Sequence, residues 1–290
     1  MRESIKIETP FEKICDLHVH STFSDGTLTP EEILRLAKET GLSAVALTDH
    51  NTVDGLEDFL IASKNYNVEA VLGVEISSIY EQTELHVLAL FISKEKFCLV
   101  KDFLQTANRR KEESNKLLAQ RLVDGGYDID YDKIKEQAGG FINRVHFAKA
   151  LIEKGYIKSV TEGFETLLSE NGGFYVPPKR LTTFEVLDFI KSINAVSVLA
   201  HPLLDLSKEE LVKLIPQAKE HGLIAIEGRY SKYSLEEQEF SEKIAKEFDL
   251  LLSGGSDFHG ENKPDIKLGK GMGNLKIPYD YVIKMNRSKK

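Results

Sequence analysis

Short apolar runs alternate with amphipathic stretches along most of this 290-residue chain. Ile14 to His20 reads as a strand. A helix follows from Pro30: Thr29 is suited to the N-cap, Pro30 to the first turn, and Glu31 and Glu32 to the positive end of the helix dipole. It ends before Gly41. Ala44 to Thr48 is nearly all apolar, as a strand buried on both faces must be. A helix from about Val53 and strands over Val68–Ile76 and Glu84–Phe91 come next. The rhythm returns in the C-terminal third, with strands at Ala195–His201, Leu223–Glu227 and Leu250–Asp257. Helical patterns at Lys208–His221 and Leu235–Phe248 separate them. Repeated βα units of this kind predict a barrel or a wound sheet. From about Glu95 to Pro178 no strand pattern occurs. A long charged helix over Lys101–Val123 precedes shorter ones, with Gly139-Gly140 and Gly172-Gly173 as breaks. This stretch reads as a helical cap inserted in the βα scaffold, dividing the chain into 1–94, 95–180 and 181–290.

The chemistry sits where the apolar runs stop. His18 and His20 are spaced i, i+2, which puts both on one face of an extended strand. Asp25 follows in a Ser-Asp-Gly turn. His50 follows the second strand, Glu75 lies at the end of the third, and His86 lies in the fourth. His201 ends the fifth, Asp257 ends the last, and His259 comes two residues after it. Six imidazoles and three carboxylates, with no sulfur, form a donor set for Mn, Zn or Fe rather than for Ca or Mg alone. At about four ligands per ion, nine side chains suit two or three ions if one carboxylate is shared. Glu75 is the expected bridge, because a carboxylate can span two ions and an imidazole cannot.

Composition narrows the class. Apolar residues make up 41% of the chain, enough for a globular core, and the net charge is −8. That charge argues against stable binding of duplex nucleic acid by a broad basic surface. It leaves room for a small anionic substrate, since bound cations supply local positive charge. Cys15 and Cys98 form neither a metal motif nor a disulfide framework. No run approaches the ~20 apolar residues that span a bilayer, and the N-terminus lacks an apolar signal core. A cytoplasmic location away from membranes is therefore expected.

Taken in order, His18-x-His20, Asp25-Gly26, Thr48-Asp49-His50, Gly73-x-Glu75, His86, Ala200-His201-Pro202 and Ser256-Asp257-x-His259 resemble the PHP (polymerase and histidinol phosphatase) family. The resemblance covers residues 14–92 and 195–260. It implies an α/β fold, a distorted (β/α)7 barrel, with a trinuclear metal centre at its C-terminal face. It further implies one ion on His18, His20, Glu75 and Asp257, a second on Glu75, His86 and His201, and a third on Asp25, His50 and His259. The run Arg144-Val145-His146-Phe147, followed by Phe174-Tyr175-Val176-Pro177, resembles the insertion of the members acting on nucleoside monophosphates, 3′,5′-bisphosphonucleotides and short RNA ends. Asn51 and Val145 depart from common family choices (Asp and Pro), and neither removes a ligand.

The resulting expectation is a metal-dependent phosphoesterase that hydrolyses AMP or a 3′,5′-bisphosphonucleotide. Arg144 is expected to neutralise phosphoryl charge and His146 to protonate the leaving group, both from a helix start and both touching substrate. Arg229 and Tyr230 are expected to contact substrate as well, with Tyr230 stacking on a base. His221, at a helix end, is expected to be structural. The alternatives are a 5′-3′ exonuclease on short 5′-phosphorylated oligonucleotides, a histidinol phosphatase, and a non-catalytic metal-binding module. A carbon–nitrogen hydrolase on a similar barrel is disfavoured by the lack of a strand-end lysine to bridge metals.

Overall fold

A computed structural model describes residues 13–137, 142, 144–273 and 275–289. The apolar runs become eight strands: β1 (Ile14–Asp16), β2 (Ala44–Leu47), β3 (Glu69–Tyr80), β4 (Thr83–Leu90), β5 (Val196–Ala200), β6 (Ala225–Tyr230), β7 (Leu251–Gly255) and β8 (Ile277–Pro278). The helices are α1 (Pro30–Glu39), α2 (Leu56–Ala62), α3 (Phe97–Asp124), α4 (Tyr131–Gln137), α5 (Arg144–Glu153), α6 (Val160–Glu165), α7 (Thr183–Ser192), α8 (Lys208–Glu220), α9 (Leu235–Glu247) and α10 (Asp280–Ser288). Capping boxes start α1, α7, α8 and α9: Thr29 with Glu32, Thr182 with Glu185, Ser207 with Glu210, and Ser234 with Glu237. The Gly139-Gly140 break lies outside the described residues.

One sheet runs in the order β7-β6-β5-β4-β3-β2-β1-β8. Pairing is parallel from β1 to β3 and from β5 to β7. The βα rhythm breaks at β3 and β4. Only Glu81 and Gln82 separate them, so they form an antiparallel hairpin, and β4 then pairs antiparallel with β5. The segment after β1 closes the barrel against β7 and the turn beyond it. Leu17 N donates to Gly254 O (3.1 Å), Asp257 N to His18 O (2.9 Å) and His20 N to Phe258 O (2.9 Å). The short β8 adds to the other stretch of the β1 edge. The sheet is thus a distorted (β/α) barrel, nearly closed.

Alternate residues from several strands meet in one fully buried cluster, including Leu17, Ala46, Val71, Leu88, Val198 and Ala225. Truncating one of its large members, as in Leu88→Ala, costs about 2–5 kcal/mol. The same two-residue period carries function. Val71, Gly73 and Glu75 form one row on β3, and His86, Leu88 and Leu90 form one on β4. Glu75 and His86 are the polar ends of apolar rows.

The chain packs as two units, Met1–Phe103 with Leu181–Lys290, and Leu104–Arg180. The boundary falls inside α3, whose first turns stay on the barrel unit: Phe103 stacks on Phe189 at 3.9 Å, nearly parallel. The second unit has its own core, with Leu118, Leu122, Ile134, Phe147, Leu151 and Leu168 buried together. Among the described residues, no helix is long and apolar enough to cross a membrane.

Candidate metal centre

All nine expected ligands come together at one end of the barrel. His20, Asp25, His50 and His259 form one group; His18, His20 and Asp257 a second; His18, Glu75 and His201 a third; His50, Glu75 and His86 a fourth. Glu75 joins them and is fully buried. Its Oε1 faces His86 Nδ1 at 2.9 Å and His201 Nε2 at 3.1 Å. Its Oε2 faces His18 Nε2 and His20 Nε2, both at 3.2 Å, and His50 Nδ1 at 3.0 Å. Asp257 Oδ1 lies 3.3 Å from His20 Nε2 and 3.4 Å from His259 Nδ1, and Asp25 Oδ1 lies 3.2 Å from His259 Nε2. The group grades from a closed end, where His18 and Glu75 have no exposure, to an open end at Asp25, whose side chain is 54% exposed. An open cavity of about 320 Å³ lies over it, lined by His50, His86, His201, Tyr230, Asp257 and Lys263 among others.

These donors fit metal ions. Buried nitrogens and oxygens without a hydrogen-bond partner cost free energy, yet His18 Nε2, His20 Nδ1 and Nε2, Glu75 Oε2, His201 Nδ1 and His259 Nε2 all lack one. Most of them face one another. Two donors about 2.1 Å from a shared ion sit roughly 3.0–3.5 Å apart at ordinary coordination angles. Those are the separations around Glu75.

A second layer of side chains aims the first. Glu227, fully buried, accepts from His18 Nδ1 at 3.2 Å and from the His201 backbone N–H at 2.8 Å. That bond keeps the proton on Nδ1 of His18 and turns Nε2 toward Glu75. His259 Nδ1 donates to the Asp257 carbonyl at 2.8 Å, which leaves its Nε2 toward Asp25. Asp49 accepts from Ser21 N (2.7 Å), Ser21 Oγ (2.7 Å) and Ser24 Oγ (2.6 Å), and so shapes the turn that presents Asp25. Asp16 ties β1 to the last turn by accepting from Ser256 N (2.8 Å) and Gly269 N (2.7 Å). Burial raises the Asp16 pKa, and these hydrogen bonds pull against that.

Close approach requires glycine at Gly255, where a Cβ would lie 2.1 Å from His18 Cβ. Backbone strain concentrates here too. His201 (φ 29°) and Asp257 (φ 58°) are candidate ligands in the left-handed region, at a cost of about 1–3 kcal/mol each. Asn51 (φ 52°) follows a ligand and is pinned to β3: its Nδ2 donates to Ser77 Oγ and its Oδ1 accepts Ser77 N–H, both at 3.0 Å. An Asp at that position could not donate to Ser77 Oγ and would have to accept from its hydroxyl instead.

The electrostatics are those of a carboxylate set that needs cations. Burial opposes ionisation of Glu75, but the surrounding imidazoles, His18 first, hold its carboxyl well below the usual range. Asp257 is lowered likewise, against burial, by His20, His18 and Lys263. Burial works against charging His18, His20 and His201, yet their carboxylate neighbours raise all three, His201 to about 9. His259 goes the other way, to about 4, through burial and the charge on His20. Without ions, protons on imidazoles balance the carboxylates; metal binding displaces those protons.

The expected substrate residues fare differently. Arg229 does not join the site. A β-bulge between Glu227 and Arg229 shifts the alternation of β6. Glu227 and Tyr230 therefore face the ligands, while Arg229 turns to α9 and pairs with Glu242 at 2.9 Å. Tyr230 is buried at the cavity wall, and its hydroxyl donates to Asp257 Oδ2 at 2.8 Å, so it holds a candidate ligand in place. Arg144 and His146 occupy the first turn of α5 in the second unit. There the Arg144 guanidinium lies over Tyr175 (4.2 Å) and Phe164 (4.9 Å) and donates to Leu168 O at 3.1 Å. His221 caps α8 and binds Asp188 at 2.9 Å, away from the ligand group.

Comparison with known proteins agrees with this geometry. A PHP domain profile matches residues 16–121. The chain is 32% identical over 270 residues to the 5′-3′ exoribonuclease Rnm of Salmonella typhimurium, covering 91% of this chain and 90% of that protein. It is 29% identical to a phosphoribosyl 1,2-cyclic phosphate 1,2-diphosphodiesterase of Eggerthella lenta, over 85% of this chain and 94% of that one. With a 3′,5′-nucleoside bisphosphate phosphatase of Chromobacterium violaceum the identity is 28%, over 87% and 90% of the two chains. A solved structure from Bifidobacterium adolescentis, described as a metal-dependent phosphoesterase, superposes with a TM-score of 0.63 at 29% identity and covers 96% of both chains. The convergent imidazoles and carboxylates, the barrel that presents them and these relatives together make this chain a member of the PHP family of metal-dependent phosphoester hydrolases.

Proposed function

We propose that the nine side chains hold two or three divalent ions, of Mn, Zn or Fe, and that the protein hydrolyses the 3′-side phosphoester of a nucleotide bearing a 5′-phosphate. One observation carries the metal reading: the two oxygens of buried Glu75 face two different sets of imidazoles. A carboxylate so placed is built to bridge. Bound ions would activate water and neutralise charge on the phosphoryl oxygens. The chain's own contribution is placement. Glu227 and the Asp257 carbonyl fix imidazole tautomers, Tyr230 holds Asp257, and the cavity is of a size to take a small ligand.

Two relatives' names are compatible with attack on one bond. A phosphatase that takes the 3′-phosphate from a 3′,5′-bisphosphonucleotide breaks the bond between phosphorus and the 3′-oxygen. So does a 5′-3′ exonuclease that releases 5′-mononucleotides. In both, water gives its oxygen to phosphorus and a proton to the 3′-oxygen. The substrates differ only in whether the phosphate carries a hydrogen or the rest of an RNA chain.

The test is a substrate panel with the Mn-loaded protein: adenosine 3′,5′-bisphosphate, short RNA with a 5′-phosphate or a 5′-hydroxyl, AMP and histidinol phosphate. Release of phosphate from the bisphosphate and of mononucleotides from 5′-phosphorylated RNA is expected. Preference for AMP or histidinol phosphate contradicts the bond assignment, and inertness toward all of them contradicts the function.

A further inference from the structure

Lys263 is unaccounted for by the ligand set, and its position is specific. It ends the turn at Gly260–Asn262 that follows His259. That turn is tethered to the loop carrying Asp25: Glu261 N donates to Thr27 Oγ1 at 2.9 Å, and Asn262 Nδ2 donates to Asp25 O at 2.8 Å. The Lys263 ammonium then reaches Asp257 Oδ2 at 2.7 Å.

That oxygen already has a donor, the Tyr230 hydroxyl, at 2.8 Å. Asp257 is thus satisfied on its outer side without the lysine. Conversely, an ammonium has three N–H donors, and Asp257 takes one. Lys263 also lines the open cavity over the ligand group, with a third of its side chain exposed. Lys232, the other lysine in that lining, is exposed in the β6–α9 turn. Lys263 is the one held against a ligand.

We propose that Lys263 is a substrate contact: its remaining N–H donors bind a non-bridging oxygen of the phosphoryl group held at the metal cluster. The inference rests on the phosphoesterase reading and adds to it a residue that reading does not supply, on the barrel itself. A charge-assisted hydrogen bond to phosphate there would act on ground-state anion binding and on developing charge alike.

A lysine that only positions Asp257 would, when lost, disturb metal content and leave phosphate binding by the loaded protein unchanged. Removing a cation from beside a ligand carboxylate does not weaken that carboxylate's attraction for metal. Loss of Lys263 should therefore spare the ions and spoil the anion. The experiment uses the full chain loaded with Mn²⁺ and compares wild type, Lys263→Met and Lys263→Arg. Metal content is measured by elemental analysis, inorganic phosphate binding by calorimetry, and KM and kcat on the phosphoester that wild type turns over. We expect Lys263→Met to keep wild-type metal content and to bind phosphate about 10- to 100-fold more weakly. Lys263→Arg should recover most of that binding. Unchanged phosphate affinity in Lys263→Met, or loss of its metal, overturns the proposal. A wild-type protein that binds phosphate but cleaves no phosphoester faults the function alone. One that does neither overturns both.

Discussion

Glu227→Gln separates aiming from ligation. Glu227 is fully buried and serves two candidate ligands at once, the His18 ring at 3.2 Å and the His201 backbone at 2.8 Å. Glutamine keeps the volume but has a single acceptor oxygen. If that oxygen keeps the His201 N–H, the amide NH2 meets the Nδ1–H of His18, donor against donor. His18 can relieve this by moving its proton to Nε2, the atom that faces Glu75 at 3.2 Å. That proton must then be lost before Nε2 can ligate. Outer partners of this kind are worth about 10- to 100-fold in metal affinity or activity, equal to roughly 1.4–2.7 kcal/mol. Manganese titration of metal-stripped protein, with activity followed in parallel, reads this directly. We expect a 10- to 100-fold weaker midpoint, with activity restored at high Mn²⁺. Glu227→Ala also leaves a cavity and an unpaired buried N–H, so the glutamine variant is the informative one. A wild-type midpoint in Glu227→Gln refutes the argument that His18 ligates through Nε2 under the control of Glu227.

Glu75→Ala or Asp257→Ala should remove metal and lower kcat by more than about 100-fold, beyond what an outer partner commands; elemental analysis and turnover check it. Arg144→Ala should keep metal content and lower kcat/KM about ten-fold or more if its guanidinium meets substrate. Wild-type kinetics with a lower melting temperature would instead mark its stacking on Tyr175 and Phe164 as its whole role. His221→Ala should change stability by no more than about 1 kcal/mol, since its partner Asp188 is exposed, and leave activity intact. Metal-free protein should be most stable near pH 6.5. The raised imidazoles stabilise while protonated, and that contribution is lost as pH climbs through their folded values, about 9 for His201. On the acid side, His259, lowered to about 4, loses its contribution below about pH 6.5, and the depressed Glu75 and Asp257 lose theirs below about pH 4. Thermal melts in chelator against pH should trace that peak, and Mn²⁺ should flatten its alkaline side; a flat metal-free profile contradicts the assignment.

The ligands were legible because each adjoins a run whose pattern is strong. His50 and His201 follow apolar strands and Glu75 interrupts an apolar run inside β3, and a polar residue so placed must face either solvent or a site. The outer layer was harder. Asp16 sits between Cys15 and Leu17 in a buried strand, and its partners Ser256 and Gly269 lie some 240 residues away. The available signal was local: a lone acid inside an apolar run cannot stay unpaired. The same reasoning points to Glu227 after Ile226. Arg229 and Tyr230 could not be sorted from the pattern, because a bulge is a backbone event that alternation does not announce. The hairpin of β3 and β4 was hidden for a related reason. Two apolar runs separated by a few polar residues do not state their direction until pairing does. Lys263 lay beyond pattern altogether: a lysine in a polar turn is ordinary until the fold sets it beside Asp257.

The most direct measurement is crystallographic: anomalous diffraction at the manganese edge from protein loaded with Mn²⁺. Two or three peaks are predicted, with Glu75 oxygens on two of the ions, His18, His20 and Asp257 around one, and His86 with His201 around another. Ions bound elsewhere, or imidazoles around Glu75 that stay free of metal at saturating concentration, would contradict the assignment of this centre.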